Sequence, residues 1–503
     1  MSKSAPKPWL LFATVLVIAT AGIVYELVAG AMASYVLGDS VTQFSLIIGV
    51  YLSALGLGAY LSKFIEKNLE KTFVEVELAT AIAGGFLAPA LYLTYAYSTA
   101  FQVVLYAGVI LVGTLVGIEL PLLIRILRKQ ISLADLLAKA LSFDYVGSLV
   151  GSVLFSLVLV PQLGLVRTSL VFGLLNALVA IGSTFLFETG KALRGARWRG
   201  VFVAIVLFVA LTQANRITAW GEDAIYSDHI IYTKQTPYQR IVVTRGRSSF
   251  QLFLSGHLQF SSADEYRYHE ALVHPAMSVV NKPRRVLVAG GGDGLAVREI
   301  LRHPEVESVT LVELDPAMTE LAREFPLLRE LNEGSLHRND VEIVHADAMI
   351  WLKENDRRFD VIVVDFPDPN NFSLGKLYTT SFYRLARERL NDGGAMVVQS
   401  TSPMFATKAF WCIARTIEAS GFVVRPYHAF VPSFGEWGYV LAKKEGFEVP
   451  SEVKVDGLRW LDDETMRAMF VLGRDMAEVP VEINRLNNQL LVHYYEQEWR
   501  RWN

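Results

Sequence analysis

Cysteine is nearly absent from this chain of 503 residues, and charged side chains are scarce in its first part. The single cysteine, Cys412, excludes an intrachain disulfide bond and any zinc cluster built from cysteines. Residues 1–214 contain only 14 basic and 10 acidic side chains, whereas residues 215–503 contain 33 and 40. The chain therefore divides into an apolar part and a part with the charge content of a soluble protein.

A basic surface is also lacking, since the net charge is −3. Nucleic-acid binding normally requires a basic patch or stripe, so we expect no nucleic-acid partner. The negative charge is concentrated in residues 215–503, and this part of the chain would attract a cation instead. The length exceeds what one hydrophobic core usually supports, which indicates two or three domains.

Long apolar runs recur in residues 1–214. A bilayer core about 30 Å thick requires about 20 apolar residues per helix. The runs lie near residues 9–34, 42–62, 76–97, 101–124, 142–163, 166–187 and 200–214, of which the last is the weakest. The first is too long for the apolar core of a cleaved signal peptide and is interpreted as a retained anchor. We therefore predict an α-helical transmembrane bundle of about seven spans, with the lipid bilayer as a partner.

Positive charge falls on alternate loops between these runs. The basic loops lie at residues 3–7, 63–71, 125–139 and 191–199, and the opposite loops contain little beyond Asp39 and Arg167. This pattern predicts a multi-pass protein of the cell membrane with a cytoplasmic N-terminus. Seven crossings would put the remaining chain outside, and six, with 200–214 at the interface, would keep it in the cytoplasm.

Three acidic residues, Glu26, Glu119 and Asp144, fall at membrane depth. An ionisable group there is costly unless it is paired or faces a cavity, so a functional role is one interpretation. Hydrogen bonding between helices is the other.

The rest of the chain reads as mixed β and α structure. Residues 225–260 alternate apolar and polar side chains around a turn at 245–247, which predicts a small antiparallel β domain over 225–275. Residues 276–445 then alternate short apolar strands with helical stretches, which predicts a doubly wound, Rossmann-type α/β domain. We expect a helical C-terminal extension over 446–503 and predict no chemistry in it.

Polar residues follow successive strands of this α/β domain. The first strand leads into the glycine-rich segment 290–294, and Glu313 lies 20 residues past Asp293, at the end of the second strand. A nucleotide-binding fold places there the acid that binds ribose hydroxyls. Asp347 ends the third strand and could face an adenine amino group. Together these residues predict a nucleoside pocket.

The remaining acids indicate a positively charged ligand. Asp293 would repel a pyrophosphate or a carboxylate but would hold an ammonium group. Asp365 and Asp368 follow the fourth strand and add two carboxylates to the same crevice. Such a cluster favours a polycationic substrate. A divalent metal is the alternative, although prolines 367 and 369 stiffen the loop.

These residues resemble the spermidine synthase family, the polyamine aminopropyltransferases. The resemblance spans residues 226–442 and rests on an ordered set of motifs at 234–239, 264–270, 290–294, 312–315, 365–369, 399–403 and 432–434. The apolar bundle resembles the membrane-attached branch of that family. The resemblance implies a transferase without metal or other cofactor, with decarboxylated S-adenosylmethionine as co-substrate.

The resemblance also implies a role for each site residue. Gln239, Asp293, Glu313, Asp347 and Ala348 would bind the donor. His269, Asp293, Asp365 and Asp368 would bind the polyamine, and Asp365 would also be catalytic. Without the resemblance, His269 would be read equally well as a buried structural histidine.

The product would be spermidine if the acceptor is putrescine. The chain departs from the family pattern at Phe366, Pro367, the segment 370–372 and Phe434, and Glu436 could add an acid. These departures all fall on the acceptor side, so the acceptor could be another small amine. The sequence also leaves a homo-oligomer open.

Two other functions fit parts of the sequence. An S-adenosylmethionine-dependent methyltransferase would use the same fold, but Asp293 argues against it. A membrane polyamine transporter or sensor with a degenerate enzyme domain would use the acids of the bundle, but the intact set of Asp293, Glu313 and Asp365 argues against degeneration.

Overall fold

The computed structural model describes residues 8–37, 40–128, 132–187 and 193–501. The chain forms two compact units, residues 1–230 and residues 231–503. The orientation predicted from positive charge rests partly on residues outside the described ranges, namely Lys3, Lys7, Asp39, Lys129 and Lys191.

The first unit is helical. Its α-helices are α1 Pro8–Leu37, α2 Ser40–Leu61, α3 Leu69–Gly85, α4 Leu87–Tyr97, α5 Phe101–Leu127, α6 Leu133–Leu154, α7 Val160–Leu186, α8 Arg194–Thr212 and α9 Ala214–Ile225. A 3₁₀ turn, Ser62–Phe64, follows α2, and a π-helical segment, Phe155–Leu159, joins α6 to α7.

Six helical stretches among the described residues are long and apolar enough to cross a membrane. They are Phe12–Leu37, Thr42–Phe64, Leu69–Tyr97, Phe101–Leu127, Leu133–Leu186 and Arg194–Thr212. The fifth has 54 residues and contains two of the seven predicted runs. Its helical geometry is interrupted at Gly164, where φ is 71° and ψ is 175°.

Small residues allow close helix packing in this unit. A Cβ atom at Gly58 of α2 would overlap the carbonyl oxygen of Thr114 in α5. A Cβ atom at Gly117 of α5 would overlap the carbonyl oxygen of Leu55. Glycine is therefore required at both positions for the two backbones to touch.

The acids of the bundle differ in their surroundings. Glu26 and Glu119 are buried and Asp144 is half-buried. The Thr80 hydroxyl donates a 2.6 Å hydrogen bond to Glu119. A further acid, Glu77, is fully buried in α3, and neither of its carboxylate oxygens has a hydrogen-bond partner among the described residues.

The second unit begins with a four-stranded antiparallel sheet. Its strands are β1 His229–Gln235, β2 Arg240–Arg245, β3 Phe250–Leu254 and β4 His257–Ser261, in the order β1-β2-β3-β4. The predicted turn at 245–247 connects β2 to β3, and Gly246 N–H donates to the Ser249 carbonyl.

A seven-stranded sheet follows, in the order β10-β11-β9-β8-β5-β6-β7. Its strands are β5 Arg285–Gly290, β6 Ser308–Glu313, β7 Val341–His345, β8 Phe359–Asp365, β9 Leu390–Gln399, β10 Val423–Val431 and β11 Gly435–Lys443. Five neighbouring strands are parallel to one another, namely β7, β6, β5, β8 and β9. Strand β11 pairs antiparallel with both β9 and β10. This is the predicted Rossmann-type sheet, with β5 flanked by β6 and β8.

Helices cover this sheet. They are α10 Glu265–Ser278, α11 Leu295–Ile300, α12 Pro316–Glu324, α13 Pro326–Leu331, α14 Ala348–Glu354, α15 Phe372–Gly375, α16 Thr380–Arg389, α17 Thr407–Glu418, α18 Asp463–Ala468 and α19 Leu490–Trp499. Three 3₁₀ turns lie at Ser335–His337, Lys376–Tyr378 and Arg474–Met476. One hydrophobic core joins the small sheet, α10 and one face of the large sheet.

The C-terminal segment differs from the predicted helical extension. Most of residues 446–489 have no regular structure, and α19 is the longest helix there among the described residues. Contacts with the rest of the unit hold this segment. The Glu270 carboxylate accepts backbone hydrogen bonds from residues 459–461, and the Trp411 indole donates to the Met476 carbonyl.

Candidate active site

The predicted acids meet at the carboxyl ends of the parallel strands. Gly290 at the end of β5 pairs with Asp365 at the end of β8, and Glu313 at the end of β6 pairs with His345 at the end of β7. These ends are neighbours in one sheet, which is where open α/β folds bind their ligands.

Glycines allow the acids to approach the loop after β5. Gly290 has a φ of +81°, and a Cβ atom there would overlap the backbone carbonyl oxygen of Asp365. A Cβ atom at Gly292 would lie 2.8 Å from a carboxylate oxygen of Glu313. The glycine-rich loop therefore packs directly against both acids.

Asp365 is a buried carboxylate with one specific partner. The Tyr268 hydroxyl, from α10, donates a 2.6 Å hydrogen bond to its Oδ1. Burial raises the pKa of Asp365 to about 6, and nearby Asp293 adds to this effect, while His269 and the Tyr268 hydrogen bond oppose it. The group is thus mostly ionised at neutral pH but close to titration.

His269 is held by a buried network of ion pairs with Glu265, from the same helix α10, and Arg298. Its Nδ1 lies 2.8 Å from the Glu265 carboxylate, which accepts hydrogen bonds of 2.9 and 3.0 Å from the Arg298 guanidinium. Burial favours the neutral ring, but Glu265, Asp293 and Asp365 outweigh it and raise the pKa of His269. The acids of the crevice therefore help to set the charge state of His269.

Asp293 lies at the start of α11. Its Oδ1 accepts a 2.9 Å hydrogen bond from the Leu295 backbone N–H. Burial raises the pKa of Asp293, although His269 favours its ionised form. The negative charge of Asp293 contributes to the raised pKa of Asp365.

Glu313 ends β6, and the side chain of Gln239, from the turn between β1 and β2, reaches the residues that follow it. Glu313 accepts a 2.9 Å hydrogen bond from the Asp315 backbone N–H, and burial raises the pKa of Glu313 to about 7. The Gln239 amide donates to Asp315 at 3.1 Å, and the Thr236 hydroxyl donates to the same carboxylate at 2.7 Å. The small sheet thereby contributes Gln239 to the edge of the crevice.

Asp347 already has partners. One of its oxygens caps α14 by accepting from the Met349 and Ile350 backbone N–H groups at 3.0 and 3.2 Å, and the other pairs with Lys376. Burial alone would raise the pKa of Asp347, but these donors outweigh it and lower the pKa. Ala348, the first residue of α14, is buried beside it.

Asp368 is held by two residues near the end of β9. Gln399 and Thr401, which lie at and just after the end of β9, each donate to its carboxylate at 3.3 Å. Burial raises the pKa of Asp368 to about 6 despite these donors.

The loop at 432–434, which contains Phe434, is fixed to the start of α10. Ser433 donates to Asp264 through its backbone N–H and its hydroxyl, at 2.6 and 2.9 Å. The Phe434 ring lies 6.1 Å from Tyr268, centroid to centroid. Glu436, which the sequence offered as an additional acid, instead pairs with His428 across the β10–β11 hairpin.

The sequence predicted no site role for Tyr268 or Gln399. Both lie inside motifs of the family resemblance, so their positions beside His269 and after β9 were the available signal. Among the described residues, no group of three or more His, Cys, Asp or Glu side chains is arranged to hold a metal ion.

The crevice of this Rossmann-type sheet combines a glycine-rich loop, an acid at the position that binds ribose hydroxyls, and several buried carboxylates. These features are typical of a nucleoside-dependent transferase that acts on a cation. Comparison with known proteins specifies the family. A family model described as "Spermine/spermidine synthase domain" matches residues 265–452. A polyamine aminopropyltransferase of Leptospira interrogans is 50% identical over 492 residues, which cover 98% of this chain and 99% of that protein.

Two further proteins are similar to this chain. "Polyamine aminopropyltransferase 2" of Ralstonia nicotianae is 49% identical over 97% of this chain and 98% of its own length. A solved spermidine synthase in complex with the transition state analogue AdoDATO is 30% identical and covers 49% of this chain and 86% of its own, with a TM-score of 0.46.

The chain belongs to the spermidine synthase family, the polyamine aminopropyltransferases. It is an enzyme that transfers an aminopropyl group to an amine, and its co-substrate is decarboxylated S-adenosylmethionine. The methyltransferase alternative and the degenerate-enzyme alternative are thereby set aside.

Proposed function

We propose that the crevice at the ends of β5, β6, β7 and β8 carries out aminopropyl transfer with Asp365 as the general base. The observation that carries the proposal is the position of Asp365: a buried carboxylate with a pKa of about 6, bonded to Tyr268 at 2.6 Å and close to Asp293. Such a group is ionised at neutral pH and can accept a proton.

The chemistry needs one proton acceptor. A primary ammonium cannot attack until it loses a proton, and Asp365 takes that proton. The freed nitrogen then forms a bond to the methylene carbon attached to the sulfonium sulfur. The carbon–sulfur bond breaks, its electron pair returns to sulfur, and neutral methylthioadenosine leaves without acid assistance. Holding both substrates in line makes the step effectively unimolecular.

The donor side is formed by the residues at the end of β6 and in the loop after β5. Glu313 accepts the ribose hydroxyls, and Gln239 contacts the methylthioadenosine part. Asp293 pairs with the ammonium of the aminopropyl group, and its burial beside other acids supports a preference for a cation. Asp347 and Ala348 border the adenine, with Asp347 held in place by Lys376.

The acceptor side lies around α10 and the loop after β8. His269 lines the channel, and Asp368 holds the ammonium of the acceptor that does not react. Two carboxylates, Asp365 and Asp368, with pKa values raised by burial suit a diamine, because each gains most from a nearby positive charge. Putrescine is such a diamine, and its product would be spermidine.

The membrane is proposed as the location of the first unit. Six helical stretches among the described residues have the length and composition of membrane spans, which supports a multi-pass protein of the cell membrane. The alternation of basic loops supports a cytoplasmic N-terminus.

Product analysis tests the proposed reaction. The detergent-solubilised full chain is incubated with decarboxylated S-adenosylmethionine and, one at a time, a series of linear diamines of increasing length. Mass spectrometry should detect methylthioadenosine and the acceptor plus one aminopropyl group in equal amounts. Formation of methylated acceptor, or no transfer to any diamine, would contradict the proposal.

A further inference from the structure

The side chain of Lys376 links the acceptor side of the crevice to the donor side. Lys376 begins the 3₁₀ turn Lys376–Tyr378, in the segment that follows Asp368. Its Nζ donates a hydrogen bond of 2.5 Å to Oδ2 of Asp347, with which it forms an ion pair. Asp347 is the acid assigned to the adenine amino group, so this ion pair lies where the donor must bind.

The other oxygen of Asp347 already has two donors. Its Oδ1 accepts hydrogen bonds from the Met349 and Ile350 backbone N–H groups at 3.0 and 3.2 Å, which caps α14. An adenine amino group would therefore need Oδ2, the oxygen to which Lys376 donates. A second donor on Oδ2 would bring its hydrogens against those of the ammonium group, so pairing with adenine favours departure of Lys376.

The backbone around Lys376 is held independently of its side chain. The buried Asn484 amide donates to the carbonyl groups of Gly375 and Tyr378 at 3.2 and 3.0 Å. The Lys376 carbonyl accepts a 2.7 Å hydrogen bond from the Thr379 hydroxyl. The turn can therefore keep its position when the ammonium group moves away from Asp347.

Water can solvate the ammonium group once it has left. The Lys376 side chain is 33% exposed, whereas that of Asp347 is 17% exposed. Partly exposed ion pairs are weak, because water competes with each partner for the other. A nucleoside can therefore displace Lys376 at a small cost in affinity.

We propose that Lys376 limits the affinity of the enzyme for its donor nucleoside: its ammonium group competes with the adenine amino group for Oδ2 of Asp347 and leaves that oxygen when the nucleoside binds. The inference rests on the proposed function, because it takes Asp347 as the adenine-binding acid. Lys376 then affects nucleoside binding and not the chemical step. The ion pair forms again as methylthioadenosine leaves, which favours product release.

The test removes the ammonium group with Lys376→Met in the full chain and measures the dissociation constant of methylthioadenosine by calorimetry. This nucleoside is neutral, so the change of protein charge has little direct effect on its binding. We expect binding about 5-fold tighter than in the wild type, from the loss of one competing, partly exposed ion pair. Lys376→Arg keeps a cation at this position and should bind like the wild type.

The matched control is Lys353→Met. Lys353 is an exposed lysine in the last turn of α14, the helix that Asp347 caps. Its removal changes the net charge by the same amount as Lys376→Met and should leave the dissociation constant unchanged. The acceptor KM at saturating donor should be unchanged in both variants, because the ammonium of Lys376 has already left Asp347 when the acceptor binds.

Two further measurements separate competition from a structural effect. Salt weakens the ion pair, so wild-type affinity for methylthioadenosine should rise with salt concentration and that of Lys376→Met should not. In an Asp347→Asn background, Lys376→Met should give no tightening, because the carboxylate for which the two groups compete is gone.

Three results would overturn the inference. These are unchanged or weaker methylthioadenosine binding by Lys376→Met, equal tightening in the Asp347→Asn background, and a wild-type affinity that does not rise with salt. The transfer reaction of the wild type is unaffected by these results, so the proposed function survives. Wild-type affinity for methylthioadenosine in Asp347→Asn alone would instead remove Asp347 from the adenine site and overturn both that assignment and the inference.

Discussion

Burial sets the protonation of the carboxylates in the crevice. It raises the pKa of Asp365 and Asp368 to about 6 and that of Glu313 to about 7. Each of these groups is destabilised when ionised and is stabilised by a nearby cation or hydrogen-bond donor. Burial of these carboxylates therefore costs folding free energy, and it also favours binding of a positively charged substrate.

The pH dependence of acceptor use follows from these values. Asp365 and Asp368 must be ionised to take a proton and to hold an ammonium. Because both pKa values lie near 6, acidification protonates both groups, and kcat/KM for the acceptor should fall below about pH 6 with a slope steeper than that of a single titration. A steady-state pH profile measures this. A profile that stays flat well below that pH would contradict the assignment.

The choice of donor should depend on Asp293. A fixed, buried acid opposes a carboxylate on the ligand, so the wild type should bind decarboxylated S-adenosylmethionine about 100-fold more tightly than S-adenosylmethionine. Asp293→Asn should weaken binding of decarboxylated S-adenosylmethionine and strengthen binding of S-adenosylmethionine. Dissociation constants of both ligands for both proteins, measured by calorimetry, test this. Equal affinities in the wild type would remove Asp293 from the ammonium site.

At the residue scale, the acids could be predicted from the sequence, but not all of their partners could. Asp293, Glu313 and Asp365 follow apolar strands, and parallel strands bring such positions together. The Tyr268 hydroxyl bonds Asp365 from 97 residues away in the sequence. Contacts of this kind depend on how helices dock on the sheet, and local sequence patterns carry no information on it.

At the scale of elements, those with a continuous run of apolar residues could be predicted from the sequence. The central strands β5, β6 and β8 are short and apolar, and β8 is buried at six of its seven residues, so the alternation of strands and helices could be predicted from the sequence. Residues 446–489 lack such a signal. Their conformation is set by individual contacts such as that between Glu270 and residues 459–461.

Packing of α2 on α5 provides a test at this scale. Gly58→Ala would push a methyl group into the Thr114 carbonyl oxygen and should destabilise the bundle by about 1–3 kcal/mol. Gly49→Ala in the same helix meets no atom within 4 Å among the described residues and should be neutral. Thermal unfolding of the full chain in detergent compares the two. Equal melting temperatures would contradict the close packing.

At the scale of the whole molecule, the chain combines an apolar helical unit with an enzyme unit. We expect the full chain to remain in the membrane pellet after alkaline carbonate washing and to be released by detergent, because removal of several apolar helices from lipid is strongly unfavourable. Fractionation of cells that express the protein measures this. Release by carbonate alone would contradict a multi-pass arrangement.

The single-turnover rate of Asp365→Asn at saturating donor and acceptor tests whether Asp365 takes the proton in aminopropyl transfer. We expect a rate about 10²- to 10⁴-fold below the wild type, with unchanged affinity for methylthioadenosine as proof that the donor pocket is intact. A variant that binds methylthioadenosine normally and transfers the aminopropyl group at the wild-type rate would contradict it.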